Sequence, residues 1–186
     1  AMTHISEFKT RLFTQYLVQG QIIAYPTEAV YGLGCDPLNG DAVRQLLTLK
    51  QRPVEKGLIL IASSFDQLSP YLNVNDGDHI QHMLSTWPGP TTWIVPAQHW
   101  VPTWLRGQHS SLAVRVTNHP IAAALCKAFN GPIVSTSANI SDKPAAKTAL
   151  AIKKQLGIEI PICPGDLSGL QNATPIYDLI TGQQLR

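Results

Sequence analysis

The chain has 186 residues, of which 44% are hydrophobic and 14% charged, and its formal net charge is +2 with the histidines neutral. This length favours one domain with a substantial buried core, and the apolar content excludes a disordered chain. So few charges exclude a protein coated with basic residues for DNA, although they leave room for a local basic patch.

The predicted elements alternate between helices and short buried strands. Apolar residues at helical spacing predict a first helix over about 4–19, with Thr3 as its cap and Gly20 as its stop. Further helices are predicted over 41–50, 76–85, 119–129 and 145–156, and strands over 21–25, 58–62, 112–116, 132–136, 158–163 and 175–180. We therefore predict a single domain over 1–186 with a mixed, α+β-like α/β fold, in which helices cover a mixed sheet.

The cysteines and the chain's first residues bear on its compartment. Cys35, Cys126 and Cys163 are odd in number, far apart and in no CxxC pair, so they predict neither a disulfide framework nor a zinc site. The polar start lacks an export signal, and the longest apolar runs are far shorter than the ~20 residues that span a bilayer. We expect a cytoplasmic protein without a membrane segment.

The segment 26–36, with the sequence PTEAVYGLGCD, directly follows the first predicted strand. Strand ends in α/β sheets are where ligands collect. Its GxG begins like a dinucleotide-binding fingerprint, but Pro37 stands where a third glycine is needed, and no acidic partner follows at the required spacing. The alternative interpretation is that the two glycines only shape a turn.

Lys50 and Arg52 are separated by one residue at the end of a predicted helix. Together they could bind neighbouring oxygens of one phosphate or carboxylate, Arg as a fork and Lys as a point charge. Cations also favour helix C-termini for electrostatic reasons, so a purely structural role stays open.

The segment 135–139, STSAN, follows another predicted strand and offers three hydroxyls and an amide. Such groups suit phosphate, ribose or carboxylate contacts. No GxSxG elbow and no Walker loop occurs, so a nucleotide would be bound by other means. A run of turn residues that bond to their own backbone is the alternative.

Three weaker patterns have both a functional and a structural interpretation. His79 and His82 could share a metal, but no third ligand is spaced to join them, which favours a solvated face and no metal site. The four tryptophans, Trp87, Trp93, Trp100 and Trp104, could stack on bases but more often pack in a core or at its rim. Lys143, Lys147 and Lys154 are predicted to share one helix face, as a modest basic stripe or an ordinary wet surface.

The motifs PTEAVYGLGCD, KQRPVEKGL, LAVRV and STSAN, in this order and at these separations, resemble the YrdC/TsaC family of threonylcarbamoyl-AMP synthases. The resemblance runs from about Gln21 to the end of the chain, and the end near residue 186 suggests the short bacterial type. It implies a YrdC-like fold, with a twisted sheet around a large, positively lined concavity. It also implies a nucleotidyltransferase that joins L-threonine, bicarbonate and ATP into threonylcarbamoyl-adenylate and pyrophosphate, for threonylcarbamoyladenosine in tRNA.

Matching motif to motif places Lys50, Arg52, Ser137 and Asn139 on the family's catalytic tetrad, which also binds ATP. The resemblance further implies Thr174 as an ATP ligand, Mg2+ on the phosphates, and contact with tRNA either directly or through the downstream transferase. We expect Thr27, Arg115 and Ser135 to bind threonine, with Arg115 on its carboxylate. The cations would offset the repulsion between a carbamate and the α-phosphate.

The chain departs from the family pattern at Lys56-Gly57, at Thr117 and at Ala173-Thr174, and none of these positions belongs to the tetrad. Two other interpretations stay open. An RNA-binding or ribosome-maturation module could use the same basic cavity without catalysis. A sugar-phosphate lyase of the dihydroxybutanone phosphate synthase type would need clustered acidic metal ligands, which the sequence does not offer.

Overall fold

The structure is a computed structural model that describes residues 4–171 and 173–186. Its strands are β1 (Ile23–Pro26), β2 (Tyr31–Gly34), β3 (Ile59–Ala62), β4 (Thr92–Pro96), β5 (Ser111–Val116), β6 (Ile133–Ser137) and β7 (Ile176–Asp178). Its helices are α1 (Glu7–Val18), α2 (Gly40–Lys50), α3 (Phe65–Leu68), α4 (Gly77–Ser85), α5 (Thr103–Arg106), α6 (Pro120–Phe129) and α7 (Ala149–Leu156). Short 3-10 turns lie at Val54–Lys56 and Ser69–Tyr71.

The strands form one sheet in the order β1-β2-β6-β3-β5-β4-β7. β3 is parallel to β5 and β4 is parallel to β7, while the other neighbours are antiparallel. The prediction of a mixed sheet with helices is therefore confirmed.

Alternate residues of the inner strands enter two different hydrophobic clusters, as the period of two in a β-strand requires. Ile61 and Ile133 pack with α1 and α6 on one face, where Phe13 and Leu125 are buried beside them. Leu60 and Val134, their neighbours in the chain, belong to the cluster on the other face. The sheet is thus covered on both faces, which explains why its strands are continuously apolar in sequence.

The strand register also decides which polar residues share a face. Ile61 is opposite Ile133, so Ile59 and its partner Ser135, two residues along, lie on the same face as the α1–α6 pair. Arg115 pairs with Ile61 and joins that face. Polar groups from separate strands therefore gather on the part of this face that extends beyond the two helices.

Several predicted element boundaries are wrong. The first helix begins at Glu7, because the Ser6 side chain caps it by accepting from the Lys9 N–H (3.1 Å); Thr3 lies outside the described residues. The last helix begins at Ala149, where Thr148 accepts from the Ala151 N–H (3.1 Å). The segment 158–163 is not a strand, since it contributes only the bridge between Ile162 and Ala24.

Sequence patterns missed strands β2 and β4 and the short helices α3 and α5. The GxG of segment 26–36 lies in β2 rather than in a loop. A Cβ at Gly34 would come within 2.6 Å of the Val134 carbonyl oxygen and 2.7 Å of the Tyr25 ring. This glycine therefore allows β2 and β6 to approach each other, which is a packing role.

Candidate active site

A cavity of about 290 Å3 opens on the polar part of the sheet face described above. Six of the eight predicted site residues line it, namely Thr27, Arg52, Arg115, Ser135, Ser137 and Thr174. The side chains of the other two, Lys50 and Asn139, are each hydrogen-bonded to Ser137. The fold thus gathers all eight residues at one place from segments that are far apart in sequence.

Local geometry explains how three of the hydroxyls reach the cavity. Ser135 and Ser137 are two residues apart on β6, so their side chains leave the strand on the same face. Thr27 begins the tight β1–β2 connection, in which its hydroxyl and its N–H both donate to the Val30 carbonyl oxygen (2.5 and 3.2 Å).

The chain reverses at the end of α2, which sends the side chains of Lys50 and Arg52 to different places. Gln51 adopts a left-handed conformation (φ 53°) and ends the helix, and the Arg52 N–H donates back to the Leu47 carbonyl oxygen (2.9 Å). This reversal directs the Lys50 side chain into the protein, where it is 2% exposed, while Arg52 reaches the cavity wall.

The Lys50 ammonium donates three hydrogen bonds to the 137–139 segment. Its Nζ lies 2.5 Å from the Ser137 carbonyl oxygen, 2.9 Å from the Asn139 carbonyl oxygen and 2.8 Å from Asn139 Oδ1. The Ser137 hydroxyl donates to the same Oδ1 (2.6 Å). Because an ammonium carries three hydrogens, this network uses all of them.

The tetrad therefore divides into two parts. Lys50 and Asn139 organise the segment that carries Ser137, whereas Arg52 and Ser137 face the cavity. Burial and, to a smaller extent, the positive charge of Arg52 together lower the pKa of Lys50 to about 8. Near neutral pH, the ammonium form that this network needs is still the main one.

Three guanidinium groups surround the cavity. Arg52 donates through Nε and Nη2 to the Gly57 carbonyl oxygen (3.3 and 3.2 Å), and Arg186 donates to the carbonyl oxygen and hydroxyl of Thr174 (2.9 and 3.0 Å). Burial lowers the pKa of Arg186, and the charges of Arg115 and Arg52 add to this effect. Since no carboxylate is among the described residues that line the cavity, it favours anions.

Arg115, the residue predicted to bind a carboxylate, already has one partner within the chain. Its Nη1 donates to Glu28, and both side chains are nearly fully buried. Thr117 Oγ1 donates to the same carboxylate, at 3.1 and 3.2 Å from its two oxygens.

Sequence reasoning missed Arg186 and Glu28. Arg186 reaches the cavity because the segment after β7 folds back, so that the Ile176 N–H donates to the Arg186 carbonyl oxygen (3.2 Å); no local pattern indicates this return. Glu28 had a visible signal, since it is the one acidic residue between the predicted buried strand and Cys35.

The weaker sequence patterns receive structural explanations. The His82 ring packs edge-on against Trp93 at 5.0 Å, and no group of three metal-ligating side chains occurs among the described residues. Each tryptophan indole donates a hydrogen bond within the chain. The prediction that Lys143, Lys147 and Lys154 share a helix face is wrong, because the first two precede α7. Across the described residues, no helix is long and apolar enough to cross a bilayer.

Comparison with known sequences identifies the family of this chain. The sequence profile of the Sua5/YciO/YrdC family, described as "Telomere recombination", matches residues 15–186. The chain belongs to this family. That description names a process and no chemical reaction.

Relatives of this Sua5/YciO/YrdC member carry a more specific name. A threonylcarbamoyl-AMP synthase from Methylococcus capsulatus is 49% identical over 186 residues, which is 100% of both chains. The protein of that name from Escherichia coli K12 is 48% identical over 172 residues, or 91% of this chain and 90% of its own length.

Solved structures of the family agree in fold. Pyrococcus abyssi Sua5 complexed with L-threonine superimposes with a TM-score of 0.88 at 32% identity, over 97% of this chain and 54% of that one, so this chain spans about half of that protein. E. coli YciO superimposes with a TM-score of 0.84 at 23% identity, over 99% of this chain and 93% of that one. This second likeness supports the fold alone.

Proposed function

We infer that this chain is a threonylcarbamoyl-AMP synthase, a nucleotidyltransferase that acts in the threonylcarbamoyladenosine modification of tRNA. Full-length identity of 49% to a relative of that name supports the activity. The observation in the structure that carries the inference is the convergence of Arg52, Arg115 and Arg186 with several hydroxyl groups on one cavity. A site of this composition suits three reactants that each carry an anionic group: the carboxylate of threonine, bicarbonate and the triphosphate of ATP.

The reaction has two steps. The amine of threonine first condenses with bicarbonate, which gives a carbamate and releases water. A carbamate oxygen then forms a bond to the α-phosphorus of ATP, and the bond from that phosphorus to the β,γ-pyrophosphate breaks. Because the carbamate and the triphosphate repel each other, fixed guanidinium groups lower the barrier by holding both and by stabilising the charge that shifts to pyrophosphate.

We assign the nucleotide to the side of the cavity that carries Arg52, Ser137, Thr174 and Arg186. Arg52 and Arg186 can bind phosphate oxygens through their remaining N–H groups, and the hydroxyls of Ser137 and Thr174 can bind phosphate or ribose. Lys50 and Asn139 support this side indirectly, since the Lys50 ammonium is bonded to three oxygens of residues 137 and 139.

We assign threonine to the side that carries Thr27, Ser135 and Arg115. Arg115 can donate to the substrate carboxylate through the nitrogens that Glu28 does not use, and Thr27 and Ser135 line the same cavity. L-Threonine in the related Sua5 structure is in keeping with a threonine site in this fold. Bicarbonate would bind between the two sides, where its product must attack the nucleotide.

Magnesium is expected to arrive with ATP rather than to be held by the protein. Mg2+ prefers carboxylates and phosphate oxygens, and the described residues that line the cavity include no Asp, Glu or His. When bound, the ion neutralises phosphate charge, and the protein's own part is to place guanidinium and hydroxyl groups around the phosphates. We further propose a cytoplasmic location and contact with tRNA, either directly or through the downstream transferase.

The test is pyrophosphate release by the purified chain. We expect release that requires threonine, bicarbonate and ATP together, and a fall of at least about tenfold, or ~1.4 kcal/mol, in Arg52→Ala or Lys50→Ala. Equal release without threonine would contradict the assignment. Tight, salt-sensitive tRNA binding without any turnover would instead favour the RNA-binding interpretation.

A further inference from the structure

Glu28 is a buried carboxylate at the edge of the proposed threonine side of the cavity. It lies in the β1–β2 connection and is 3% exposed. Isolated buried carboxylates are unfavourable, so the position of this one depends on its partners. Those partners are Arg115 on β5 and Thr117 immediately after that strand.

The partners of Glu28 form a chain of hydrogen bonds that fixes the direction of its carboxylate. The His119 N–H donates to Thr117 Oγ1 (3.1 Å), which leaves the Thr117 hydroxyl free to donate to Glu28. The His119 ring is held in turn, because its Nδ1 accepts from the Ile121 N–H (3.2 Å) and its Nε2 lies 2.7 Å from the Asp166 carbonyl oxygen. Glu28 therefore cannot rotate without breaking bonds on two sides.

The Arg115 guanidinium is in turn held at one of its nitrogens. Glu28 takes its Nη1, and within the described chain no other hydrogen bond from the guanidinium is seen, although Arg115 lines the cavity. A guanidinium presents its N–H groups in a rigid fork, so fixing one nitrogen fixes the direction of the others. The buried negative charge also offsets the repulsion that Arg115 receives from neighbouring Arg186.

We propose that Glu28 is the positioning residue that orients Arg115 for the carboxylate of the amino-acid substrate. This inference rests on the proposed function, in which Arg115 binds threonine. Glu28 acts through Arg115 and touches no substrate itself. Its loss should therefore weaken threonine binding and leave ATP binding unchanged.

The experiment compares Glu28→Gln, Arg115→Met and the double variant by steady-state kinetics of pyrophosphate release. Glu28→Gln keeps the shape of the side chain and removes its charge. We expect the KM for threonine to rise at least about tenfold in Glu28→Gln, with the KM for ATP within about twofold. In the Arg115→Met background, Glu28→Gln should cause no further rise, because the residue through which it acts is gone.

The control is Asp41→Asn, which removes the carboxylate of the exposed Asp41–Arg44 ion pair, and it should leave both KM values unchanged. Three results would each overturn the proposal. They are an unchanged threonine KM in Glu28→Gln, an equal rise in the KM values for threonine and ATP, and an equal effect of Glu28→Gln in the Arg115→Met background. Failure of the proposed function is distinguishable, because the unmodified chain would then release no threonine-dependent pyrophosphate.

Thr117→Val provides a second variant in case Glu28→Gln does not fold. It removes one of the two partners of the carboxylate and leaves the ion pair in place. We expect a smaller rise of about threefold in the KM for threonine, again without a change for ATP. A Thr117→Val protein with both KM values unchanged would count against the proposal.

Discussion

Two concave regions of this molecule differ in size and in chemistry. The larger is a groove of about 1090 Å3, which we call the Asp66 groove; its charged lining residues are Asp36, Asp66 and Lys127. The smaller is the cavity of about 290 Å3, whose charged lining residues are Arg52, Arg115 and Arg186. The cavity has less than a third of the volume but all of its lining charge is positive.

Two polar side chains of the Asp66 groove, those of Asp36 and Gln67, are bonded to backbone groups. Asp36 Oδ1 accepts from the Leu38 N–H (2.9 Å), and the Gln67 side chain accepts from the Ser63 N–H and donates to the Cys126 carbonyl oxygen. In the cavity, by contrast, guanidinium groups from separate parts of the chain are brought close enough to repel one another. Such repulsion costs stability, so the concentration of like charge, more than the volume, is what singles out the smaller cavity as the proposed active site.

The largest expected effect is that of Arg52→Ala in the cavity. This change removes a cation that we assign to the phosphates of ATP, so we expect kcat/KM for ATP to fall about a hundredfold, or ~2.7 kcal/mol. The matched change in the Asp66 groove, Lys127→Ala, should alter kcat/KM by less than about twofold. Similar losses of kcat/KM in both variants would contradict the assignment of the reaction to the cavity rather than to the Asp66 groove.

Lys50→Met should have the next largest effect, although its side chain is turned away from the cavity. The variant removes the three hydrogen bonds that the ammonium donates to oxygens of residues 137 and 139, so the segment that carries Ser137 can shift. We expect kcat/KM to fall about thirtyfold, with a lower free energy of unfolding in chemical denaturation. A variant with full activity would show that this network does not position Ser137.

The activity should also depend on the protonation of Lys50. Above its lowered pKa of about 8, the neutral amine has one hydrogen fewer than the three oxygens require. We therefore expect kcat/KM to fall severalfold between about pH 7 and pH 9, measured as a pH–rate profile with folding checked at each pH. A flat profile over this range would contradict the role of the ammonium.

A rise in pH should increase the contribution of Lys50 to stability, whereas it lowers the activity. Because its pKa is about 8 in the folded chain and 10.5 ordinarily, the unfolded chain binds more protons between these values. The contribution of Lys50 to the free energy of unfolding therefore rises with pH across this window. The measurement is the free energy of unfolding of the unmodified chain minus that of Lys50→Met at several pH values. This difference should increase with pH.

The last expected effect concerns the contact between strands β2 and β6 and falls on stability. Gly34→Ala would place a Cβ 2.6 Å from the Val134 carbonyl oxygen, so β2 and β6 must separate slightly. We expect the free energy of unfolding to fall by about 1–3 kcal/mol in chemical denaturation. The control is Gly77→Ala, where a Cβ would meet no atom within 4 Å, and it should cost nothing.

Sequence patterns were most successful where short-range physics decides the structure. Buried strands and capped helices such as α2, which Asn39 caps by accepting from the Ala42 N–H (3.1 Å), follow from local composition. Strand β4 was missed because only three apolar residues, 93–95, lie between its end residues Thr92 and Pro96, although Thr92 is fully buried. The short helices α3 and α5 contain four residues each, too few to show a helical period.

By itself, the sequence determined the residue types that the chemistry requires and the order of the segments that carry them. KxR, SxN and the segment with Thr27 could be named before any contact was known. Only the tertiary structure decided what each side chain binds: that Lys50 is bonded within the chain, that Glu28 holds Arg115 across 87 residues, and that Arg186 returns to the cavity. The physical reason is that local propensities act over a few residues, whereas these partners are set by sheet register and chain reversal.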